Sequence, residues 1–316
     1  MERAELVARV NRAGKANEAM NVVEVSGISK SFKGVKVVDN VSFTIGQSEI
    51  FGMVGPNGAG KTTTIRMLMD IIKPDSGAIK ILGEPINEGT KNRIGYLPEE
   101  RGLYKKLTVS ESLIYLAALK GVKGHLARER AEKLLKRVNM LPHKDKKTEE
   151  LSHGMGQLIQ FVATILHDPE LVVFDEPFAA LDPVNTQLLK DLILELRSQG
   201  KSVILSTHMM NQVEELSDRI LMINKGQAVL YGSLAEIKSR YRNNSIFLEC
   251  DRLPDNLPGV VGSKAHGKYM EIFLDGRVSP QEILSALINK GVKVDRFEVS
   301  TPSLNEIFIQ VVKEGR

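Results

Sequence analysis

Cysteine and long apolar runs are what this sequence has least of. Cys250 is the single cysteine among 316 residues, which excludes an intramolecular disulfide and a cysteine-rich metal site and fits a reducing compartment. Its expected role is that of a buried structural thiol. No stretch approaches the roughly 20 consecutive apolar residues that cross a bilayer, and the longest runs, such as Leu171–Phe174, are strand-sized. Service to a membrane would therefore be peripheral. A charge excess is missing too: 43 basic against 39 acidic residues leave +4, too even a balance to indicate nucleic acid by itself. The opening MERAELVARV has early acidic residues and no apolar core before a small-residue cleavage site, so it does not read as a signal peptide. Repeats and low-complexity tracts are absent as well. With 42% hydrophobic and 26% charged residues the chain can bury a sizeable core, and its length suits one large domain plus a small one.

Residues 1–19 precede the strand-like Val22, Val23 and Val25 and are expected to be a dispensable extension or the product of an upstream start codon. From Met20 to about Thr44 the pattern is β-rich, with VVEVSGISKSF and VKVVDNVSFTI joined by a Lys33-Gly34 turn. A strand (IFGMVG) then enters a glycine-rich loop, and Lys61–Ile72 reads as a helix ended by Lys73-Pro74. Strands are expected at 78–82 and 93–97. Thr108 and Glu111 form a capping box opening a helix that Gly121 ends, and a basic amphipathic helix follows from about Leu126 to Val138. Residues from about 100 to 167 thus read as a helical insertion. Strands at 171–175, 202–207 and 219–223 then alternate with helices near 183–198 and 211–217, as in a parallel sheet. Beyond Arg240 the character changes, and residues 245–316 read as a separate small α+β domain.

Gly55-Pro56-Asn57-Gly58-Ala59-Gly60-Lys61-Thr62 matches G-x-x-x-x-G-K-[ST], with Thr63 following. Such glycines let backbone N–H groups curl around phosphates at a helix N-terminus. Lys61 would reach the β and γ phosphates of ATP, and Thr62 would offer its hydroxyl to Mg²⁺. Leu171–Phe174 runs into two carboxylates, Asp175 and Glu176, as expected of a buried strand that presents acids at its C-terminal edge. Asp175 would orient the Mg²⁺ shell and Glu176 would polarise the attacking water.

These motifs, in this order over residues 20–240, resemble the ABC ATPase family. Phe32 sits where that family places an aromatic that stacks on adenine. Leu151-Ser152-His153-Gly154-Met155 lies where it has the LSGGQ signature; Ser152 and Gly154 match, whereas His153 and Met155 depart. Ala180-Leu181-Asp182 looks like the D-loop, and Ser206-Thr207-His208 like the switch strand whose histidine senses the γ-phosphate. The resemblance implies an α/β fold: a P-loop NTPase core with an antiparallel β subdomain and a helical subdomain, plus the small C-terminal α+β domain. It also implies a head-to-tail dimer, with itself or a related subunit, in which the phosphate loop of one subunit faces Ser152 and Gly154 of the other across ATP. The partners would be polytopic membrane permease subunits, with the chain peripheral on the cytoplasmic face. The stretch Ile94–Tyr104 and the extra C-terminal domain look like the exporter-type subgroup that includes bacterial sodium-extrusion systems. Within it, Glu99 stands where most relatives carry the glutamine of the Q-loop, whose oxygen approaches Mg²⁺; the tail is expected to regulate or to support dimerisation. The competing reading is a soluble ABC protein acting on ribosomes or DNA. Ribosome-acting relatives generally carry two ATPase units and DNA-repair relatives a long coiled coil, and neither occurs here. A P-loop kinase or GTPase does not account for the signature, D-loop and histidine in order.

Overall fold

The computed structural model describes residues 21–100, 102–241, 244–254 and 257–314. The expected extension over residues 1–19 lies outside them. The chain divides between Leu234 and Ala235 into two compact units.

In the first unit, β1 (Val23–Phe32) and β2 (Val35–Ile45) form a hairpin. Its turn residues Lys33 and Gly34 both have positive φ, 49° and 81°, the backbone that matches the twist of paired strands. β3 (Ile50–Val54) is buried throughout and leads into α1 (Lys61–Leu68). This helix ends sooner than Lys73-Pro74 suggests, because Asp70 turns left-handed at φ 58° and Ile71 N–H closes on Arg66 O at 2.9 Å. β4 (Ser76–Ile81) returns to pair with β1, completing a three-stranded antiparallel sheet in the order β2-β1-β4.

The short α2 (Glu88–Asn92), which the sequence pattern does not announce, is capped by Asn87 and precedes β5 (Ile94–Leu97). The helical region holds α3 (Val109–Leu119), α4 (Gly124–Arg137) and α5 (His153–Ile165), and the Thr108–Glu111 capping box forms as its sequence demands. Next come β6 (Leu171–Asp175), α6 (Pro183–Ser198), β7 (Ser202–Thr207), α7 (Met210–Leu216), β8 (Arg219–Asn224) and β9 (Gln227–Ser233). The main sheet has six strands in the order β5-β6-β7-β3-β8-β9, parallel from β5 to β8, with β9 running back along β8. Phe161 of α5 stacks on Phe174 of β6 with ring centroids 5.0 Å apart. Both rings are wholly buried, and burial of such a ring is worth about 1.5–3 kcal/mol, so α5 is tied firmly to the strand that carries Asp175.

α8 (Leu234–Arg240) leads into the second unit. It contains β10 (Ser245–Cys250), β11 (Val260–His266), β12 (Tyr269–Leu274), α9 (Pro280–Asn289), β13 (Val294–Val299) and α10 (Leu304–Glu314). Its antiparallel sheet runs β11-β12-β10-β13 over a core that includes Ile246, Leu248, Ile272, Ile283 and Leu287. Cys250 corrects the expectation of a buried thiol: it is half-buried, with Sγ donating to Arg252 O at 3.2 Å. The residue ends β10, and its side chain packs against the rim of the core that Ile246 and Leu248 enter. Among the described residues no helix is long and apolar enough to cross a membrane.

Candidate active site

The order β6-β7-β3 brings three strand ends together. Register pairs Asp175 with Ser206 and Val54 with Thr207, so the glycine loop leaving β3, the acids ending β6 and the histidine following β7 emerge side by side. This is the carboxyl edge of a parallel sheet, where such folds bind ligands.

The loop accepts little but glycine at two of its positions. A Cβ on Gly55 would lie 2.1 Å from Ile223 O, and one on Gly60 would lie 2.7 Å from Val37 O. Gly60 also has φ 109° and caps α1, a conformation costly for other residues. The loop is held from outside: Gly226 N–H donates to Ala59 O at 2.9 Å, and Asp39 N–H to Gly226 O at 2.8 Å. Lys61 bends back across it, donating from Nζ to Gly55 O at 2.8 Å and to Pro56 O at 3.2 Å. Burial pulls the Lys61 ammonium below its usual range, and the charges of Glu176, Asp175 and Glu99 oppose that pull.

Asp175 is completely buried, and neither of its oxygens completes a hydrogen bond; Ser206 Oγ beside it is likewise unsatisfied. Burial raises its carboxyl above the ordinary range. The nearby hydroxyls of Ser206 and Thr62 offset this in part, and the charges of Glu99 and Glu176 add to it. Glu176 is the opposite case, with both carboxylate oxygens engaged. Its Oε2 accepts from Thr207 Oγ1 at 2.8 Å, and its Oε1 accepts from His208 N–H at 3.0 Å and meets His208 Nδ1 at 2.8 Å. Because a carboxylate only accepts, the ring hydrogen is assigned to Nδ1. The Glu176 backbone is left-handed at φ 52°, a strain of roughly 1–2 kcal/mol for a residue with a side chain. It is held there by its own N–H on Ser206 O at 2.8 Å.

Lys61, Thr62, Asp175, Glu176 and His208 are therefore brought together, with Thr63 alongside in α1. Glu99 is exposed, yet it lies close enough to Lys61 and Asp175 to act on both electrostatically. Its neighbour Glu100 pairs with Arg66 at 3.4 Å, and Arg101 lies outside the described residues. Phe32 ends β1 with 46% of its surface exposed and Lys30 Nζ 5.8 Å from its ring centre, so a ring face remains open to stacking. No hydrogen bond among the described residues joins Ser152 or Gly154 to the Lys61 cluster. Ser152 is exposed and caps α5 by accepting from Met155 N–H at 3.3 Å, and a Cβ on Gly154 would lie 3.1 Å from Ala180 O. Asp182 caps α6 through Asn185 N–H at 2.9 Å.

One contact escaped the sequence reading. Gln157 is buried in α5 and donates from Nε2 to Pro177 O at 3.1 Å and to Glu176 O at 3.4 Å, linking the Ser152 helix to the backbone of Glu176. The available signal was a glutamine within the apolar run GQLIQF.

The donor set suits a hard divalent cation. Buried polar atoms are rarely left unpaired, and two orphaned carboxylate oxygens beside the Thr62 hydroxyl offer the oxygen ligands that Mg²⁺ takes, few in number and completed by water.

A family model described as "ABC transporter" matches residues 38–179, and one described as "ATP-binding protein DrrA1-3-like, C-terminal domain" matches residues 232–312. The uncharacterized ABC transporter ATP-binding protein YhaQ of Bacillus subtilis (strain 168) is 39% identical over 294 residues, covering 92% of this chain and 98% of the relative. The linearmycin resistance ATP-binding protein LnrL of the same organism is 34% identical over 304 residues, covering 92% and 98%. A solved structure of the ATP binding subunit of an ABC transporter superposes with a TM-score of 0.66 at 29% identity, over 70% of this chain and 93% of that one.

Proposed function

Since this chain belongs to the ABC transporter family of ATP-binding proteins, whose members hydrolyse ATP to drive a membrane permease, we propose that its hydrolytic site is the cluster at the ends of β3, β6 and β7. The observation that carries this reading is the meeting of Lys61, Asp175, Glu176 and His208 at neighbouring strand ends. The glycine-loop N–H groups and Lys61 bind the phosphates, with Nζ exchanging its two loop carbonyls for phosphate oxygens. Phe32 stacks on adenine. Thr62 and Asp175, with Glu99, would hold Mg²⁺, which when bound neutralises phosphate charge. Glu176 draws a proton from the attacking water. The water oxygen bonds to the γ-phosphorus, the bond from that phosphorus to the oxygen bridging to ADP breaks, and the proton passes on to the released phosphate. His208 holds Glu176 and reports the γ-phosphate.

Ser152 and Gly154 complete the site of a second subunit, in a dimer of two identical chains or of this chain with a related one; the exposure of Ser152 supports this. The permease is an exporter, with the chain peripheral to it on the cytoplasmic face, a reading supported by likeness to LnrL and to the DrrA1-3-like domain. No comparison favours ribosomes or DNA.

The test is a pair of variants that should differ in kind. Glu176→Gln should bind ATP, lose hydrolysis by a factor of about a hundred or more, and elute as a dimer with ATP and Mg²⁺; Ser152→Arg added to it should return the monomer. Lys61→Ala should weaken nucleotide binding. Hydrolysis by Glu176→Gln at the wild-type rate would remove Glu176 as the base.

A further inference from the structure

The carboxylate of Glu176 can accept about four hydrogen bonds, two on each oxygen. Oε1 is filled by the backbone and ring of His208. Oε2 receives one, from Thr207 Oγ1 at 2.8 Å, and keeps the remaining open position. Thr207 can aim that bond because its hydroxyl has no freedom left. Its one hydrogen goes to Glu176, its oxygen accepts from Met209 N–H at 3.1 Å, and its backbone is the last residue of β7, in register with Val54. The side chain is also dry, at 1% exposure, and a hydrogen bond there is stronger than one in water.

We propose that Thr207 is a positioning residue for hydrolysis: its hydroxyl fixes the plane of the Glu176 carboxylate and leaves Oε2 as the oxygen that receives the proton of the attacking water. The proposal rests on the reading of Glu176 as the base. Without Thr207 the carboxylate keeps its hold on His208 through Oε1 but turns about that anchor, so Oε2 no longer points in one direction. A misaimed base lowers the rate of the chemical step and leaves ATP affinity alone.

The experiment compares steady-state ATPase kinetics, ATP binding and thermal melting for the full-length chain and its Thr207→Val, Thr207→Ser and Glu176→Gln variants. Valine keeps the shape and removes the hydroxyl; serine restores it. Thr207→Val should lower kcat about tenfold, equivalent to about 1.4 kcal/mol of barrier, with KM and ATP affinity within twofold, and Thr207→Ser should recover most of the rate. A Thr207→Val enzyme with normal kcat overturns the proposal. So does one whose ATP binding and melting temperature collapse together with the rate, or whose loss serine does not restore, since those outcomes assign the hydroxyl to folding. Glu176→Gln separates the two readings: normal hydrolysis there refutes the base itself, whereas lost hydrolysis beside an unaffected Thr207→Val refutes the positioning role alone.

Discussion

Replacing Asp175 by asparagine should strengthen the nucleotide-free protein while weakening its response to ATP. The carboxylate is fully buried with both oxygens unpaired. An unsatisfied buried polar group costs about 1–3 kcal/mol, and a charged one more. Asparagine keeps the shape and drops the charge, recovering on the order of 1 kcal/mol of that cost. The opposing effect is lost attraction for Lys61, but burial is the largest influence on both groups and Asp175 only the third influence on Lys61, so relief of desolvation wins. For a unit of this size 1 kcal/mol is about 2–4 °C in Tm. With Mg²⁺ and ATP the order should reverse. Ligand at a hundred times its Kd stabilises by about 2.7 kcal/mol, and the variant, lacking a proposed Mg²⁺ ligand, should gain much less. Melting curves for both proteins, with chelator alone and then with Mg²⁺ and ATP, supply the four numbers. A variant that melts below wild type in chelator, or that gains as much from Mg²⁺ and ATP, would refute the argument.

Two further outcomes follow from neighbouring groups. Glu99→Gln should keep Mg²⁺-dependent hydrolysis within a few-fold, because an oxygen remains at the same reach. Glu99→Ala should lower it and raise the Mg²⁺ needed, more strongly in the reconstituted permease complex than in the isolated chain; equal Mg²⁺ curves there would remove Glu99 from the site. His167, whose Nε2 donates to Ile94 O at 3.1 Å, is pushed down from 6.5 to about 4 mainly by burial and next by the charge of Lys120. The folded state therefore binds fewer protons than the unfolded one between those values, and stability is lost as pH falls from about 6.5 to 4, by on the order of 2–3 kcal/mol after solvent screening. Denaturant titrations across that window should show a flatter profile for His167→Gln.

The sequence by itself determined the parts whose reasons are local. The glycine loop, the apolar run into Asp175 and Glu176, the β1–β2 hairpin turn and the Thr108–Glu111 capping box follow from residue type and spacing, and the structure carries each of them. Elements with weak local signals did not declare themselves. β11 is a sheet-edge strand whose residues are mostly exposed, so its sequence shows no alternation. β9 is at best half-buried along most of its length, and α2 is a single capped turn. The early end of α1 rests on a left-handed aspartate, which no composition rule anticipates. Only the tertiary structure decided how the site works as a unit. Pairing of β6 with β7, strands separated in the chain by a whole helix, places Thr207 and His208 on the Glu176 carboxylate and leaves both Asp175 oxygens unpaired, while β3 pairs with β7 from more than a hundred positions away and brings the glycine loop alongside. A buried acid with both oxygens unpaired and a strained acid with three contacts cannot be told apart as adjacent letters; what separates them is which residues at the end of β7 each one faces.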